Sequence, residues 1–344
     1  MPDQPDDYAI VIGLNDYPQF GSQGHSLAGA IEDAQRFATW LKDTSMGGGL
    51  PHENCQEILS SPDPLTPNKL GIDLALGSLI TRAKAAGGGR RLYFYFSGHG
   101  QAKSPHDVAL CLCHWSALFR YAALSSASYQ SMFLRCSPFA ELVILLDCCR
   151  IRSIDATGGD SEIGCAIPVE DAGSKRFMLG FATEFQNAAM EAEVDEGVTE
   201  EGPVVRGHFT EALLAALNGG AAQPAGGVTA RELKRYLELN VPRIAKDHEH
   251  VQNAQVISDF PEDAQPVFGS ALPEANFTIE FSPARRGEML LEGPELEVVR
   301  RGDAATGPWE LTLRRGRYLL SDRARGDQLD IPFRPSEEVT VVTF

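Results

Sequence analysis

The chain has 344 residues, which is enough for one large domain and a small one. Its hydrophobic fraction of 43% is that of an ordinary globular protein. The 30 basic and 47 acidic residues give a net charge of −17, which argues against a surface for nucleic acid or an anionic membrane. The same charge would attract basic protein segments, although simple solubility also explains it. We therefore expect neither nucleic acid nor a membrane among the partners.

Residues 1–7 contain neither a basic nor an apolar region of the kind found in signal peptides. No apolar run approaches the length of a membrane-spanning helix. The seven cysteines form no spaced framework, which is typical of free thiols in a reducing compartment. We therefore expect a cytoplasmic protein.

The first half of the chain alternates between predicted strands and helices. A short apolar strand over 8–13 is followed by a helix over 27–41, whose apolar residues recur on one broad face. A second helix is predicted over about 67–85. Strands follow over 92–96 and 108–113, since both runs are apolar and rich in β-forming residues.

The alternation continues after residue 114. The pattern is mostly helical over 115–135 and changes to strands over 142–146 and 177–182. A helix over 209–217 and a capped helix over 229–240 follow, the latter opening with a Thr-Ala-Arg-Glu capping box. Alternating strands and helices predict an α/β fold with a mostly parallel sheet sandwiched by helices.

Composition changes at residues 266–273, where prolines cluster. Beyond this point, short runs of alternating polarity are separated by turn residues, which is typical of a small all-β sandwich. We therefore divide the chain into a domain over 1–270 and a small β-sandwich domain over 271–344.

Two short segments, 96–100 (Phe-Ser-Gly-His-Gly) and 146–150 (Leu-Asp-Cys-Cys-Arg), each follow an apolar run that suits a buried parallel strand. In an open α/β sheet, the loops at the carboxyl ends of neighbouring strands face one crevice. His99 is therefore predicted to lie near the cysteine pair 148–149. A histidine beside a cysteine is the arrangement that a thiol nucleophile requires.

Together with a third segment over 27–34, these motifs resemble the caspase/metacaspase superfamily, and specifically its bacterial, orthocaspase-type members. The caspase pattern Gln-Ala-Cys-Arg-Gly aligns with 147–151. The metacaspase pattern Asp-x-Cys-His-Ser-Gly matches Asp147 and Cys149 and departs over 150–152. Both alignments select Cys149 rather than Cys148, and the matches span about residues 8–269.

The resemblance implies a role for each motif residue. Cys149 would be the nucleophile that forms the acyl-enzyme. His99 would protonate the leaving amine and then activate the deacylating water. The backbone N–H groups of Gly100 and Cys149 would form the oxyanion hole. The alternatives are a buried structural cysteine and a histidine hydrogen-bonded into the fold.

The resemblance also bears on specificity. Caspases that cut after Asp carry an arginine where this chain has Leu27, so a cationic S1 pocket is not expected. Asp33 and Asp147 match the acidic residues with which metacaspases bind Arg or Lys, and paired carboxylates suit a guanidinium. The alternatives are an exposed helix carboxylate for Asp33 and a loop-start cap for Asp147.

Neither a metal nor a cofactor is expected. The Cys111, Cys113 and His114 cluster lacks the spacing of a structural zinc site. Residues 190–206 are predicted to be a loop and contain an acidic run over 191–201. Because some metacaspases are calcium-activated, calcium is considered for this run, but it lacks EF-hand spacing and a solvated loop is favoured.

The chain is also a candidate for cutting itself, because basic residues follow the nucleophile within predicted loops over 151–176 and 190–206. The candidates are Arg150, Arg152, Lys175, Arg176 and Arg206. The alternatives are that these residues are packed or solvated, and that another protease activates the chain.

The resulting hypothesis is a cysteine endopeptidase that cleaves proteins at exposed Arg or Lys sites. By family analogy it is a regulated bacterial protease of stress, defence or cell death, controlled by an activating protease or an inhibitor protein. The alternative is an inactive or conditional caspase-like scaffold that acts through protein–protein contacts. A thiol hydrolase of small amides is disfavoured, because the S1-like motif suits peptides.

Overall fold

The computed structural model of the chain describes most of its residues. Within it the chain divides into two compact units, Met1–Ala271 and Leu272–Phe344, one residue from the predicted boundary. The described residues are 4–20, 25–153, 156–164, 175–199, 202–223, 226–262, 265–273, 277–283, 285–293, 296, 298–313, 316–333 and 339–344.

The first unit contains most of the predicted helices and strands, together with strands that were not predicted, among them two strands of the central sheet over 55–59 and 255–258. The helices are α1 (Ala30–Lys42), α2 (Lys69–Ala85), α3 (Ser126–Cys136), α4 (His208–Ala215) and α5 (Ala230–Asp247). The strands are β1 (Asp7–Gly13), β2 (Cys55–Leu59), β3 (Ser61–Pro62), β4 (Leu65–Thr66), β5 (Gly89–Ser97), β6 (Gly100–Ser104), β7 (Asp107–Cys111), β8 (Ala123–Ser125), β9 (Phe139–Asp147), β10 (Arg176–Phe181), β11 (Glu191–Thr199), β12 (Gly202–Gly207), β13 (Val228–Thr229), β14 (Gln255–Ser258) and β15 (Val267–Phe268).

A six-stranded sheet in the order β14-β10-β9-β5-β1-β2 forms the centre of the first unit. All neighbouring strands are parallel except β14 and β10, which are antiparallel. Because side chains alternate along a strand, Ile10 and Ile12 pack into one core and Ala9 and Val11 into another. The first core includes α2 and α3 residues and the second includes α1, α4 and α5 residues. The predicted α/β class, with a mostly parallel sheet between helices, is confirmed.

The helix starts follow from local capping chemistry. The Asn68 side chain accepts a hydrogen bond from Gly71 N at 2.9 Å at the start of α2. At α5, the hydroxyl of Thr229 accepts from Glu232 N at 3.3 Å, as the predicted capping box requires.

Two predicted segments have a different structure. Of the predicted helix over 115–135, only 126–135 is helical, as part of α3. This helix follows strand β8, while residues 112–122 form a turn-rich segment closed by backbone hydrogen bonds. The predicted acidic loop contains the antiparallel hairpin of β11 and β12. A two-stranded hairpin lets both faces carry charge, which is why its composition resembles that of a loop.

The second unit contains two sheets around one apolar core. Its strands are β16 (Phe277–Glu280), β17 (Glu288–Glu292), β18 (Val298–Asp303), β19 (Trp309–Leu311), β20 (Gly316–Asp322), β21 (Asp327–Phe333) and β22 (Thr340–Thr343). The sheet orders are β19-β16-β22 and β18-β17-β20-β21, and only the β16/β22 pair is parallel. The described residues of both sheets contribute to one core that includes Trp309, Leu291 and Phe333.

Cys136 is disulfide-bonded, so the expectation that all cysteines are free thiols is wrong for this residue. The free cysteines of the described residues are Cys55, Cys111, Cys113, Cys148 and Cys149. In the part of the chain that the structure describes, no helix combines the length and apolar character needed to cross a bilayer.

Candidate active site

The two sequence motifs lie side by side at the carboxyl edge of the central sheet. Strands β5 and β9 are parallel neighbours, and their last residues, Ser97 and Asp147, are paired in register. Gly98 N donates a hydrogen bond to the Asp147 carbonyl at 3.2 Å just beyond that pair. His99 and Cys149 therefore emerge from adjacent strand ends, as the spacing of the apolar runs predicts.

The His99 ring is held by a backbone carbonyl and two aromatic rings. Its Nε2 lies 2.7 Å from the carbonyl oxygen of His25. Because a carbonyl only accepts, Nε2 carries the proton and Nδ1 of the neutral ring is a free base. Phe20 stacks on the ring at a centroid distance of 4.0 Å, and Tyr17 meets it edge-on at 4.6 Å. Burial lowers the pKa of His99, and the bond to His25 opposes this, so the ring is neutral at pH 7.

Tyr17 fixes the backbone from which His99 projects. Its hydroxyl donates to the Cys111 carbonyl at 3.0 Å and accepts from His99 N at 3.0 Å. A β-carbon at Gly98 would lie 2.4 Å from that hydroxyl, so the motif needs glycine there. Tyr17 thus positions His99 without touching the thiol.

We expect Tyr17→Phe to lower kcat/KM about tenfold and stability by about 1–3 kcal/mol, because His99 N–H and the Cys111 carbonyl would lose a buried partner. Tyr129→Phe is the matched control, since the Tyr129 hydroxyl bonds Asp73 at 2.7 Å. It should lose similar stability, measured by urea unfolding, and keep its activity. Equal activity of Tyr17→Phe and wild type would remove Tyr17 from the site.

The two adjacent cysteines have different environments. Cys148 is 2% exposed and belongs to the core, where a β-carbon on Gly100 would lie 2.6 Å from its sulfur. Cys149 is half-buried, and its sulfur lies 3.3 Å from Ala189 N and 3.4 Å from the Ala189 carbonyl. Burial raises the pKa of both thiols, and for Cys149 the Ala189 N–H opposes the rise. Cys149 is the more accessible thiol.

His99 and Cys149 are both described, and no hydrogen bond joins their side chains in this state. Burial favours the neutral form of each, so they are not a thiolate–imidazolium pair. Catalytic hydrogen bonds often shorten only when substrate binds. The roles of His99 and Cys149 as a catalytic pair therefore stay a prediction.

The predicted oxyanion-hole residues lie on adjoining backbone. A β-carbon on Gly100 would come within 2.6 Å of the Cys149 carbonyl oxygen, so only glycine allows this approach. The backbone at Gly100 thus passes close to the Cys149 carbonyl, and the oxyanion-hole role of the Gly100 and Cys149 N–H groups stays a prediction.

Asp33 and Asp147 converge from α1 and β9, and both are buried. Gly207 lies between them, since a β-carbon there would be 2.6 Å from Asp147 Oδ2 and 2.8 Å from Asp33 Oδ2. Gly207 N donates to Asp33 Oδ2 at 2.7 Å, and Thr210 donates to Asp147 Oδ2 through its N–H (3.2 Å) and hydroxyl (2.6 Å). The structure thus brings the two predicted S1 residues together.

These two carboxyls are held at an energetic cost. Asp33 Oδ1 is buried without a hydrogen-bond partner among the described residues, and its ion pair with Arg36 is long, at 4.0 Å. Burial, followed by the charge of Asp147, raises the pKa of Asp33 well above its usual value. Burial raises the pKa of Asp147 to about 6 against the hydrogen bonds from Thr210. Strongly perturbed carboxyls in a cleft are typical of functional sites.

One small cavity of about 50 Å³ joins these groups to Cys149. Such a space holds a few water molecules. Leu27 lines it, so the position that is arginine in Asp-cutting caspases contributes an apolar side chain. None of the described lining residues is basic. The lining residues are Leu27, Ala30, Asp33, Ser97, Gly98, Asp147, Cys148, Cys149, Ala189, Met190, Glu191 and Gly207.

The β11–β12 hairpin forms one wall of the cavity and is fastened to the start of α1. Glu191 accepts hydrogen bonds from Ala28 N at 3.1 Å and Gly29 N at 3.0 Å. Arg206, at the other end of the hairpin, pairs with Glu32 at 2.7 Å. Part of the acidic run is therefore built into the site. The side chains of 194–199 and residues 200–201 lie outside what the structure describes.

Arg150, where the chain departs from the metacaspase pattern, is the residue after the predicted nucleophile Cys149, and it packs into the interior. Its guanidinium is fully buried and stacks on Phe181 at 3.9 Å from the ring centroid. It donates to the Thr183 carbonyl at 2.9 Å and to Gln255 Oε1 at 2.6 Å, and also to the Pro105 carbonyl. A protease could not reach this side chain in the folded chain.

The other processing candidates differ in accessibility. Lys175 is buried and donates to the carbonyls of Phe133 and Ser137, and Arg206 is buried in its ion pair with Glu32. Arg176 is exposed but belongs to β10, inside the central sheet. The Arg152 side chain is exposed and lies outside the named strands, but its backbone forms an isolated bridge with Ala102, which would have to open before cleavage. Processing stays a prediction, with Arg152 as the most accessible position.

Among the described residues, no three His, Cys, Asp or Glu side chains converge as metal ligands would. Cys111 and Cys113 are buried core residues, and Cys113 contacts the Thr66 carbonyl through its sulfur at 3.1 Å. Burial raises the pKa of Cys113 to about 12, so its thiol is neutral.

The sequence interpretation missed several groups that build the site. Gly207 and Thr210 lie about 60 residues beyond the nucleophile, with no local motif. Ala189 and His25 act through backbone atoms, which leave no side-chain signature. Tyr17 follows the first strand within an unremarkable loop.

The chain is similar to known proteins in sequence, and these similarities indicate its family. The profile of the caspase domain of the C14 peptidases matches residues 6–260. A probable protease from a Desulfuromonadales bacterium is 28% identical over 225 residues, which is 62% of this chain. This chain spans about a quarter of that relative's length, 26%.

Two solved structures resemble the chain at low similarity. A protein of Geobacter sulfurreducens is 15% identical, with a TM-score of 0.44 over 78% of this chain and 95% of its own. The structure of pro-sf-caspase-1 is 11% identical, with a TM-score of 0.40 over 74% of this chain and 92% of its own. The family assignment depends on the domain profile, which covers well over half of the chain: the chain belongs to the caspase-domain family of C14 peptidases.

Proposed function

We propose that the chain is a cysteine endopeptidase that uses His99 and Cys149 to cleave proteins after Arg and, less efficiently, after Lys. The observation that carries this is the cavity beside the Cys149 sulfur, whose described walls hold Asp33, Asp147 and Glu191 and no basic residue. A cationic P1 side chain is the group that would compensate these carboxylates.

The chemistry follows from the state of the two side chains. The Cys149 sulfur attacks the carbonyl carbon of the P1 residue while its proton passes to His99, whose unprotonated Nδ1 accepts it. His99 then gives the proton to the departing amine as the C–N bond breaks, leaving a thioester on Cys149. Water attacks the thioester, His99 takes its proton, and the thiol is released. The Gly100 and Cys149 N–H groups would stabilise the oxyanion of both steps.

Recognition of arginine would use the oxygen atoms that the fold leaves unsatisfied. Asp33 Oδ1 has no hydrogen-bond partner in the described chain, and a guanidinium offers N–H groups in a planar fork. Lysine presents a single ammonium and would make fewer of these contacts. An aspartate at P1 would add a further negative charge to an acidic, buried cavity.

The cavity of about 50 Å³ is too small for a guanidinium, so binding requires its wall to move. Residues 189–191 and Gly207 belong to the hairpin side of the cavity. Their contacts to Cys149, to α1 and to Asp33 would therefore have to loosen. This closed state favours a conditional enzyme, and it also supports the second candidate, a caspase-like scaffold that is inactive until a partner opens it.

The test is hydrolysis of fluorogenic peptides that differ only in P1, as Arg, Lys, citrulline and Asp, by wild type and Cys149→Ala. Citrulline matches the shape of arginine without its charge. Cleavage in the order Arg, Lys, with citrulline and Asp essentially uncut, supports the proposal. Each assay is run with and without calcium, because the acidic run is the proposed element for calcium activation. No cleavage under any condition would favour the scaffold.

Proteins with exposed Arg or Lys are the proposed substrates, under the control of an activating protease or an inhibitor protein. A role in bacterial stress, defence or cell death rests on family analogy.

We expect any autoprocessing to occur after Arg152, since it is exposed and lies outside the strands. Purified wild type and Cys149→Ala would be followed by intact mass over time. Fragments ending at Arg152 in wild type only, and absent in Arg152→Gln, support the prediction. A fully active enzyme that stays uncut contradicts it.

A further inference from the structure

We propose that an apolar face beside His99 binds the leaving-group side of the substrate and selects a large apolar residue among the first two after the scissile bond. The face, called here the apolar face, consists of Phe20, Trp115, Leu118, Phe119 and Tyr121. This inference rests on the proposed endopeptidase function and names a substrate feature that the acidic cavity does not determine.

The chemistry of the reaction indicates on which side of Cys149 the leaving part of the substrate lies. The P1 side chain enters the acidic cavity beside Cys149, and the amine that leaves must take its proton from His99. The residues after the scissile bond therefore begin at the His99 ring. Phe20 stacks on that ring at 4.0 Å with 15° between planes, and Trp115 packs on Phe20 at 4.7 Å. An unbroken aromatic surface thus starts where the leaving group starts.

The apolar face is separate from the acidic cavity. It borders a groove of about 300 Å³ lined by Gln19, His114, Leu118, Phe119, Tyr121 and Ala122, none of which lines the acidic cavity. The volume lies at the lower end of the range of small ligand pockets. Since the described lining contains no carboxylate, lysine or arginine, its occupant is apolar.

Three large side chains of the face are exposed to solvent, Leu118 by 89%, Phe119 by 62% and Tyr121 by 72%. Clustered exposed apolar groups of this kind mark binding surfaces. The backbone that carries them is held by hydrogen bonds: Leu112 N donates to the Ala122 carbonyl at 2.9 Å, and Ala122 N to the Phe119 carbonyl at 3.0 Å. The backbone therefore holds these side chains at the surface before any substrate binds.

Two polar atoms at or beside the face have no hydrogen-bond partner among the described residues. Trp115 is 8% exposed, and its Nε1 is buried without a hydrogen-bond partner among the described residues. The neighbouring His114 Nδ1 is in the same situation. Buried polar atoms are normally paired, and a bound peptide backbone offers both donors and acceptors. The combination of apolar area and free polar atoms suits an extended peptide.

The experiment compares two kinds of Arg substrate on wild type and on the double variant Leu118→Ser/Phe119→Ser. The first kind is a quenched peptide with Leu or Ser at the first two positions after Arg. The second has an aminocoumarin leaving group and no residues on that side. Leu239→Ser is the matched control, because Leu239 is exposed and lies in α5.

In wild type and Leu239→Ser, we expect kcat/KM to be about tenfold higher for the Leu peptide than for the Ser peptide, as partial burial of apolar side chains predicts. The double variant should lose this preference and keep wild-type activity on the aminocoumarin substrate. When Cys149→Ala is added to each of these proteins so that the peptides stay uncut, the Leu peptide should bind more tightly than the Ser peptide, except to the protein that also carries the double substitution.

Equal rates on the two peptides in wild type, or a preference that survives in the double variant, would overturn the inference. A dimer that the double variant converts to a monomer, with no change in preference, would instead assign the face to self-association. If wild type cleaves neither the peptides nor the aminocoumarin substrate, the endopeptidase proposal itself is refuted, and this inference with it.

Discussion

Replacing Cys149 with alanine should abolish peptide cleavage, while Cys148→Ala should retain most of the wild-type rate. Both cysteines line the acidic cavity, but Cys149 is half-buried, whereas Cys148 is 2% exposed and its sulfur packs against Gly100 inside the core. Removal of a nucleophile costs several orders of magnitude in rate. Removal of a small buried thiol costs on the order of 1 kcal/mol of stability. The measurements are kcat/KM on the Arg peptide and urea unfolding.

His99→Ala should be as inactive as Cys149→Ala and remain folded by circular dichroism. If Cys148→Ala is inactive while its unfolding midpoint matches that of wild type, Cys148 is the nucleophile and our assignment to Cys149 is wrong.

Asp147→Asn and Asp33→Asn should lose cleavage after Arg and at the same time gain stability. Loss of one carboxylate partner of a desolvated guanidinium costs about 2–5 kcal/mol, which corresponds to roughly 30-fold to several thousandfold in kcat/KM. Without substrate the carboxyls oppose folding, because burial raises the pKa of both, and the charge of Asp147 adds to the rise at Asp33 and that of Glu191 to the rise at Asp147. An amide at position 33 keeps an acceptor for Gly207 N and adds a donor beside Asp147. We expect a gain on the order of 1–3 kcal/mol at pH 7.

The pH dependence follows from the same shifts. The pKa of Asp147 is about 6 in the folded chain, against 3.8 for an aspartate free of the fold. Between about pH 4 and 6 the carboxyl is therefore protonated in the folded chain and ionised in the unfolded chain. Its contribution to stability is fully present below this window and is lost as the pH rises through it. Cleavage after Arg should change in the opposite direction and fall below about pH 6, because the protonated carboxyl has lost its charge.

Thermal unfolding and kcat/KM measured from pH 4.5 to 8 would check both trends. Asp147→Asn is expected to flatten the stability profile over this window. An unchanged profile, or wild-type Arg cleavage by either Asn variant, contradicts the S1 assignment. Asp107→Asn is the control, since Asp107 caps the start of α3 through Ser125 and Ala127, away from the cavity.

The sequence predicts four strands of the central sheet, because apolar runs that end at polar residues mark buried strands, and it predicts that His99 and Cys149 are neighbours, because the carboxyl ends of parallel strands lie at one edge. It does not predict the outer strands β2 and β14. It does not predict the hairpin wall, because 191–207 is rich in acidic residues and its two strands pair mainly with each other. The helical spacing near Leu118 was also misleading. That segment closes on itself through backbone bonds and presents its apolar residues to solvent.

Contacts between distant residues explain the remaining differences. Gly207 is a glycine because two carboxylates approach it, and this is visible only once α1, β9 and β12 are assembled. Arg150 resembles a processing site in sequence, yet its guanidinium is enclosed by carbonyls from three other segments.

These hydrogen bonds link the segment that carries Cys149 to one edge of the central sheet. Gln255, whose side-chain oxygen accepts a hydrogen bond from Arg150, belongs to β14. This is one of the two edge strands of the central sheet, and it runs antiparallel to its neighbour β10. A lysine at 150 would have a single donor nitrogen in place of the two from which Arg150 reaches its acceptors, and it could not stack a planar cation on Phe181. Divergence within the family at position 150 is therefore constrained by its partner at 255, so that these two sites, 105 residues apart, are expected to change together in evolution rather than singly.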